Sequence, residues 1–141
     1  NIWGAYNPAD HSLVHLTGEA NCDACRVIEV FERIEKTYIA VPHIVLFVDN
    51  ANYFKATVVR EWWQEHPHFQ VEPLPSYAPN LNLIERFWTL AKEKLVKNTY
   101  YEKDKTFRAH VFRFVNHVDE YIEELKTLMV ERFQIIPVKT A

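Results

Sequence analysis

The segment His43-Ile-Val-Leu-Phe-Val-Asp49 constrains the fold more than any other stretch of the chain. It is a nearly unbroken run of β-branched and aromatic residues that follows a proline. Such a run reads as a strand buried on both faces, as in the parallel part of an α/β sheet. It closes on a carboxylate. A charge left uncompensated in the interior costs on the order of several kcal/mol. At the carboxyl end of a strand, however, Asp49 can point into the crevice where ligands of open α/β sheets bind. Asn50 follows directly and can orient Asp49 by hydrogen bonding.

The remaining elements arrange themselves around that strand. Ile2–Tyr6 reads as a short strand, Asn7–His11 as a turn and Ser12–Leu16 as the hairpin partner. A helix is expected over 21–38, with Asn21 as N-cap and Ala24, Val27, Ile28, Phe31, Ile34 and Tyr38 on one face. A second helix covers 55–65, turning Val58, Val59, Trp62 and Trp63 inward, and His66-Pro67-His68 ends it. A strand at 70–74 and a helix at 81–97 follow. Over 106–133 an apolar seam through Phe107, Val111, Phe114, Val118, Tyr121, Leu125 and Leu128 marks one helix or two collinear ones, the second capped by Asp119. Residues 1–135 are expected to form one domain with 136–141 as a tail, and 141 residues suffice for a real core.

Leu-Pro-Ser-Tyr-Ala-Pro-Asn-Leu-Asn-Leu-Ile-Glu-Arg-Phe-Trp, residues 74–88, raises a second question about an acid. Glu85 lies in the first turn of the 81–97 helix, beside the stripe Ile84, Phe87, Trp88, Ala91 and Leu95. With Asn80 or Asn82 as cap, the helix dipole favours an anion there, and a capping-box glutamate is the simplest account. The pair is more telling than either member. Thirty-five residues separate Asp49 from Glu85. A helix and a strand fill that gap, so both acids can return to one edge of the sheet. Convergent carboxylates bind hard divalent cations such as Mg²⁺.

The stretches Val-Asp-Asn-Ala-Asn-Tyr-Phe-Lys from Val48 and Leu-Pro-Ser-Tyr-Ala-Pro-Asn-Leu-Asn-Leu-Ile-Glu-Arg-Phe-Trp from Leu74 resemble the catalytic core of bacterial insertion-sequence transposases of the mariner superfamily. These are DDE enzymes with the RNase H-like, retroviral-integrase fold. The likeness runs to about Phe133 and is loose over the first 40 residues. It implies an RNase H-like mixed sheet flanked by helices, DNA as substrate, and Mg²⁺ or Mn²⁺ held by Asp49 and Glu85 as the second and third acids. Asn50 becomes a residue that orients Asp49, and Asn82 and Lys92 become candidates for contacting DNA or organising the site. Phe54 stands where the family usually has His, and Leu83 where it has Pro.

The family's first Asp lies on a strand upstream of the segment matching Ile2–Tyr6, and Asp10, in the hairpin turn, is out of place for it. By this resemblance the chain lacks the central strand of its sheet, and the 141 residues alone are expected to be inactive. The start at Asn1 rather than Met fits a processed product or a piece of something longer. Exposed strand edges invite pairing with another chain, so a homodimer is expected.

Charge alone would not suggest DNA: Lys and Arg number 16 against 19 Asp and Glu, a net charge of −3. Neither a membrane span nor a signal peptide is readable, and two cysteines fit a reducing compartment, hence the bacterial cytoplasm. Cys22-x-x-Cys25 lacks the other half of a zinc site and reads as buried in the first helix. His110 and His117 stand too far apart for one ion. His66 and His68 read as solvated loop residues, and Trp62, Trp63 and Trp88 as core rather than stacking platforms. Lys92, Lys94, Lys97, Lys103 and Lys105 form a modest basic strip. The reading is thus an incomplete DDE catalytic domain for strand cleavage and transfer. The rivals are a hydrolytic nuclease of the same fold and a non-catalytic dimerising relic.

Overall fold

The fold comes from a computed structural model that describes residues 1–21, 23–76, 81–97 and 99–130. Strands β1 (Ile2–Asn7) and β2 (Ser12–Thr17) form an antiparallel hairpin, with Ile2 opposite Thr17 and Asn7 opposite Ser12. Helix α1 (Ala24–Thr37) leads to β3 (Ile44–Val48). A 3₁₀ turn at Asn52–Lys55 precedes α2 (Thr57–Glu65), and β4 (Phe69–Pro73) then pairs parallel with β3. Helices α3 (Leu83–Val96), α4 (Asp104–Asn116) and α5 (Ile122–Leu128) complete the described chain, with a 3₁₀ turn at Val118–Tyr121 between the last two.

Side-chain alternation along the hairpin builds two cores. Trp3 and Ala5 of β1, with Val14 and Leu16 of β2, face a cluster formed by Val27, Val30, Phe31 and Ile34 of α1, Val59 and Trp62 of α2, and Phe69. Their neighbours Ile2, Tyr6 and Leu13 face the other way, onto Phe87, Leu90 and Ala91 of α3, Phe114 and Val115 of α4, and Leu125. That is the period-two pattern of a strand covered on both sides. Val59, Phe87 and Leu125 are fully enclosed; burial of a side chain that size contributes about 1.5–3 kcal/mol.

The parallel pair is covered on one side only, which corrects the expectation for 43–49. Ile44 and Leu46 pack on the α1–α2 cluster, but Val45 and Phe47 are 44% and 67% exposed. Helices α3 and α4 lie against the hairpin instead. Among the described residues the hairpin and the parallel pair are separate two-stranded sheets sharing one helical layer. The result is a mixed α/β architecture consistent with a fragment of the RNase H-like fold.

Several local expectations shift. Asp23, not Asn21, caps α1, its Oδ1 accepting from Arg26 N at 3.0 Å. Cys25 is exposed, not buried, and Cys22 lies outside the described residues. Val58 is 48% exposed, because Val59 and Trp62 take the inner face of α2. The C-terminal seam is broken into two helices at His117, whose backbone N–H closes α4. Asp119 lies within the 3₁₀ turn, and α5 starts after Tyr121 without a side-chain cap. The break rotates the apolar face, so Met129 is buried and Leu128 is 37% exposed. Residues 131–135 and the tail at 136–141 lie outside the described residues.

Candidate active site

Asp49 sits one residue past β3, exposed, at the carboxyl end of the parallel pair. Its Oδ1 accepts from the backbone N–H of Ala51 at 3.0 Å, an Asx turn that fixes the carboxylate locally. No ion pair engages Asp49 among the described residues.

Asn50 has partners of its own on the chain leaving β4. Its Nδ2 donates to the carbonyl of Leu74 and to Ser76 Oγ, each at 3.1 Å. The N–H of Leu74 donates to the Val48 carbonyl at 2.7 Å, carrying the parallel ladder one step beyond the strands. The chain leaving β4 is therefore fastened to the rim that carries Asp49. From Ser76 to Leu83 is seven residues, so the helix with Glu85 begins no more than about 25 Å of extended chain away. No described hydrogen bond links Asp49 to Glu85.

Glu85 is exposed in the first turn of α3. Asn82 occupies the N-cap position, and its carbonyl accepts from Glu85 N at 3.1 Å. The Asn82 side chain makes no cap bond, and Glu85 makes none back to Asn82, so the capping-box account lacks its hydrogen bonds. Asn80 lies outside the described residues. Thr89 and Lys92 continue the Glu85 face: Thr89 Oγ1 donates to the Glu85 carbonyl at 2.9 Å, and Lys92 is exposed. Phe87, two residues on, is fully buried against Tyr6, Trp88 and Phe114, with ring centroids 5.0–5.7 Å apart. One side of α3 is thus locked into the core while the side bearing Glu85 meets solvent.

Arg86 escaped sequence reasoning. Its Nη1 reaches the carbonyls of Leu128 and Val130 at 3.3 and 3.2 Å, tying α3 to the C-terminal end of α5, where a cation complements the helix dipole. Its partners lie more than forty positions away, so no local spacing announces them. Phe54 has an aromatic role, stacked 6.4 Å from Phe31 and edge-on to Tyr53 at 4.8 Å.

The two acids suit a hard divalent ion chemically: both supply oxygen donors, both are exposed, and neither is consumed by a described ion pair. Among the described residues no three His, Cys, Asp or Glu side chains gather around one point.

A parallel strand pair with an acid just past it, and a second acid in the first turn of the helix that follows, is the order of elements expected of a fragment of the RNase H-like fold. Comparison with known families agrees. Residues 1–108 match the DDE superfamily endonuclease family, and the chain belongs to it. It is also 30% identical over 88 residues to the "Insertion element IS630 uncharacterized 39 kDa protein" of Shigella sonnei, a match covering 58% of this chain. That match takes in 26% of the relative, so the chain spans about a quarter of the length of the curated relative it resembles.

Proposed function

We propose that this chain is a catalytic segment of an insertion-sequence transposase that cuts DNA at the element's ends and transfers the strands, in the bacterial cytoplasm. Membership of the DDE endonucleases supports phosphodiester chemistry. The similarity to an insertion-element protein supports transposition as its setting. The observation that carries the site assignment is the pair Asp49 and Glu85, each exposed at the start of a loop or helix whose other residues are fixed by packing.

In this reading Asp49 and Glu85 hold Mg²⁺ or Mn²⁺ through carboxylate oxygens, with waters and substrate phosphate filling the other positions. The ion supplies activation of a water or 3′-hydroxyl and stabilisation of the leaving oxygen. Asn50 keeps the loop after β4 against the rim, so that the approach to α3 stays in place. Lys92, two turns along the Glu85 face, meets a DNA phosphate, and Asn82 flanks the same helix entrance. No side-chain nucleophile is required.

The open sides of β1 and β3, with Val45 and Phe47 exposed beside them, support a homodimer as the working form. Static light scattering at micromolar protein should give twice the chain mass; a single-chain mass contradicts the dimer. The catalytic reading is tested by a strand-transfer assay on labelled element ends, using this segment within its full-length protein. Transfer should vanish in Asp49→Ala and in Glu85→Ala. Cleavage without transfer in the parent favours a hydrolytic nuclease of the same fold, and activity that survives both substitutions contradicts the site.

A further inference from the structure

Helix α3 is fastened to α5 at two points, and one of them stands next to Glu85. Near the start of α3, Arg86 Nη1 donates to the carbonyls of Leu128 and Val130 at 3.3 and 3.2 Å. Toward its far end, Lys94 Nζ meets Glu124 Oε2 at 2.6 Å and lies 5.7 Å from the centroid of the Tyr121 ring. Leu90 falls midway, four residues from each cation, so the three side chains share one strip of the helix. Leu90 is buried in the same cluster as Leu125 and Met129. The earlier cation of α3 meets the later end of α5, so the two helices run in opposite directions around an apolar centre.

Successive residues of an α-helix point about 100° apart, so Glu85, Arg86 and Phe87 take three different directions. Phe87 is fully enclosed in the core, and Arg86 is held on α5. With the second and third directions fixed, the first follows from them. The turn needs that outside support. Its N-cap residue, Asn82, supplies no side-chain hydrogen bond, and the first N–H groups of any helix lack partners within it. Arginine suits the task, because one guanidinium NH₂ carries two N–H bonds fixed in a plane, one for each carbonyl. The acceptors are carbonyls of the kind that a helix C-terminus leaves unpaired. They also lie beyond residues 1–108, the stretch that matches the DDE endonuclease family.

We infer that Arg86 is a positioning residue, through which the C-terminal end of α5 sets the direction of the Glu85 carboxylate. The inference deepens the transposase reading and rests on it for the role of Glu85. In that reading Glu85 offers an oxygen to a hard divalent ion, and such a ligand binds best when its own backbone is already in place. Released from α5, the first turn of α3 gains freedom. The ion must then order the carboxylate as it binds, and that entropy is subtracted from its affinity. The consequence is a weaker hold on the metal with the chemistry itself intact. Lys94 sits eight residues further on, about 12 Å along the helix axis, and its contact steadies the other end of α3. Arg86 therefore acts on Glu85 and Lys94 does not, although both join the same two helices.

Two measurements test this. The first is amide hydrogen exchange in the metal-free 141-residue chain. Arg86→Ala should speed exchange at Glu85 and Phe87 by at least ~5-fold while leaving α1 and β3 as in the parent. Lys94→Ala should leave the Glu85 and Phe87 amides unchanged. Unaltered exchange in Arg86→Ala, or an equal rise across α1 and β3, overturns the inference. The second is DNA cleavage against Mn²⁺ concentration in the full-length protein. Arg86→Ala should raise the half-saturating Mn²⁺ ~10-fold and recover to within roughly threefold of the parental rate at saturation. Arg86→Lys, which keeps the charge, should restore most of the shift, and Lys94→Ala should show none. A rate that falls equally at every Mn²⁺ concentration marks a purely structural role and overturns the positioning. If the parent shows no metal-dependent cleavage, the transposase reading fails, while exchange still decides whether α5 holds the Glu85 turn.

Discussion

Tyr6 shows how a single side chain couples the hairpin to the rest of the molecule. It packs against Phe87 with ring centroids 5.7 Å apart, while its hydroxyl meets His11 Nδ1 at 2.7 Å. His11 holds a φ of 59°, the left-handed region that histidine tolerates better than most residues. Burial, reinforced by the negative charge of Asp10, pushes the Tyr6 phenol up to about 12 from its usual 10. The unfolded chain therefore releases this proton first as pH rises. Stability should be unaffected by Tyr6 below pH 10 and fall between pH 10 and 12. Denaturant titrations across that window should show a shallower decline in Tyr6→Phe than in the parent. At the rim the expectation is the reverse of a core lesion. Glu85→Ala should change stability by no more than about 0.5 kcal/mol, as for other exposed substitutions. Asp49→Ala should lose about 1 kcal/mol with its bond to Ala51 N. Phe87→Ala, two residues from Glu85 but fully buried, should cost about 3–5 kcal/mol.

Among the elements, α3 divides its labour between the two faces, and both were legible in its spacing: the buried stripe through Phe87 and Ala91, the exposed line through Glu85, Thr89 and Lys92. Strand positions were equally readable from β-branched runs, because that signal is local. What escaped was set by distant partners. Burial of β3 on its second face depends on where α3 and α4 settle, and they settle on the hairpin, leaving Phe47 exposed. The grip of Arg86 on α5 and of His66 and His68 on Glu35 joins residues with no periodic relation. The partners of Asn50, Leu74 and Ser76, are likewise a helix and a strand away. Asn50→Ala should therefore raise amide hydrogen exchange at Leu74 and Ser76 while leaving the protected amides of β3 unchanged. The cap of α1 gives a second check at this scale. Asp23→Ala should cost about 1 kcal/mol in thermal melts and Asn21→Ala almost nothing, since the Arg26 N–H is satisfied by Asp23.

Taken as one molecule, the chain presents a helical layer, α1 with α2, that supports two separate strand pairs, and a second layer, α3 to α5, that closes over one of them. Among the described residues no helix is long and apolar enough to cross a membrane. A cavity of about 470 Å³ lies at the amino end of the parallel pair, opposite the end that carries Asp49. The central claim is that Asp49 and Glu85 jointly hold one hard divalent ion. Isothermal titration of the chain with Mn²⁺ tests it most directly. One saturable site that disappears on adding either Asp49→Ala or Glu85→Ala is the predicted result. Mn²⁺ binding that persists unchanged without one of the acids, or no binding in the starting protein, would contradict the account.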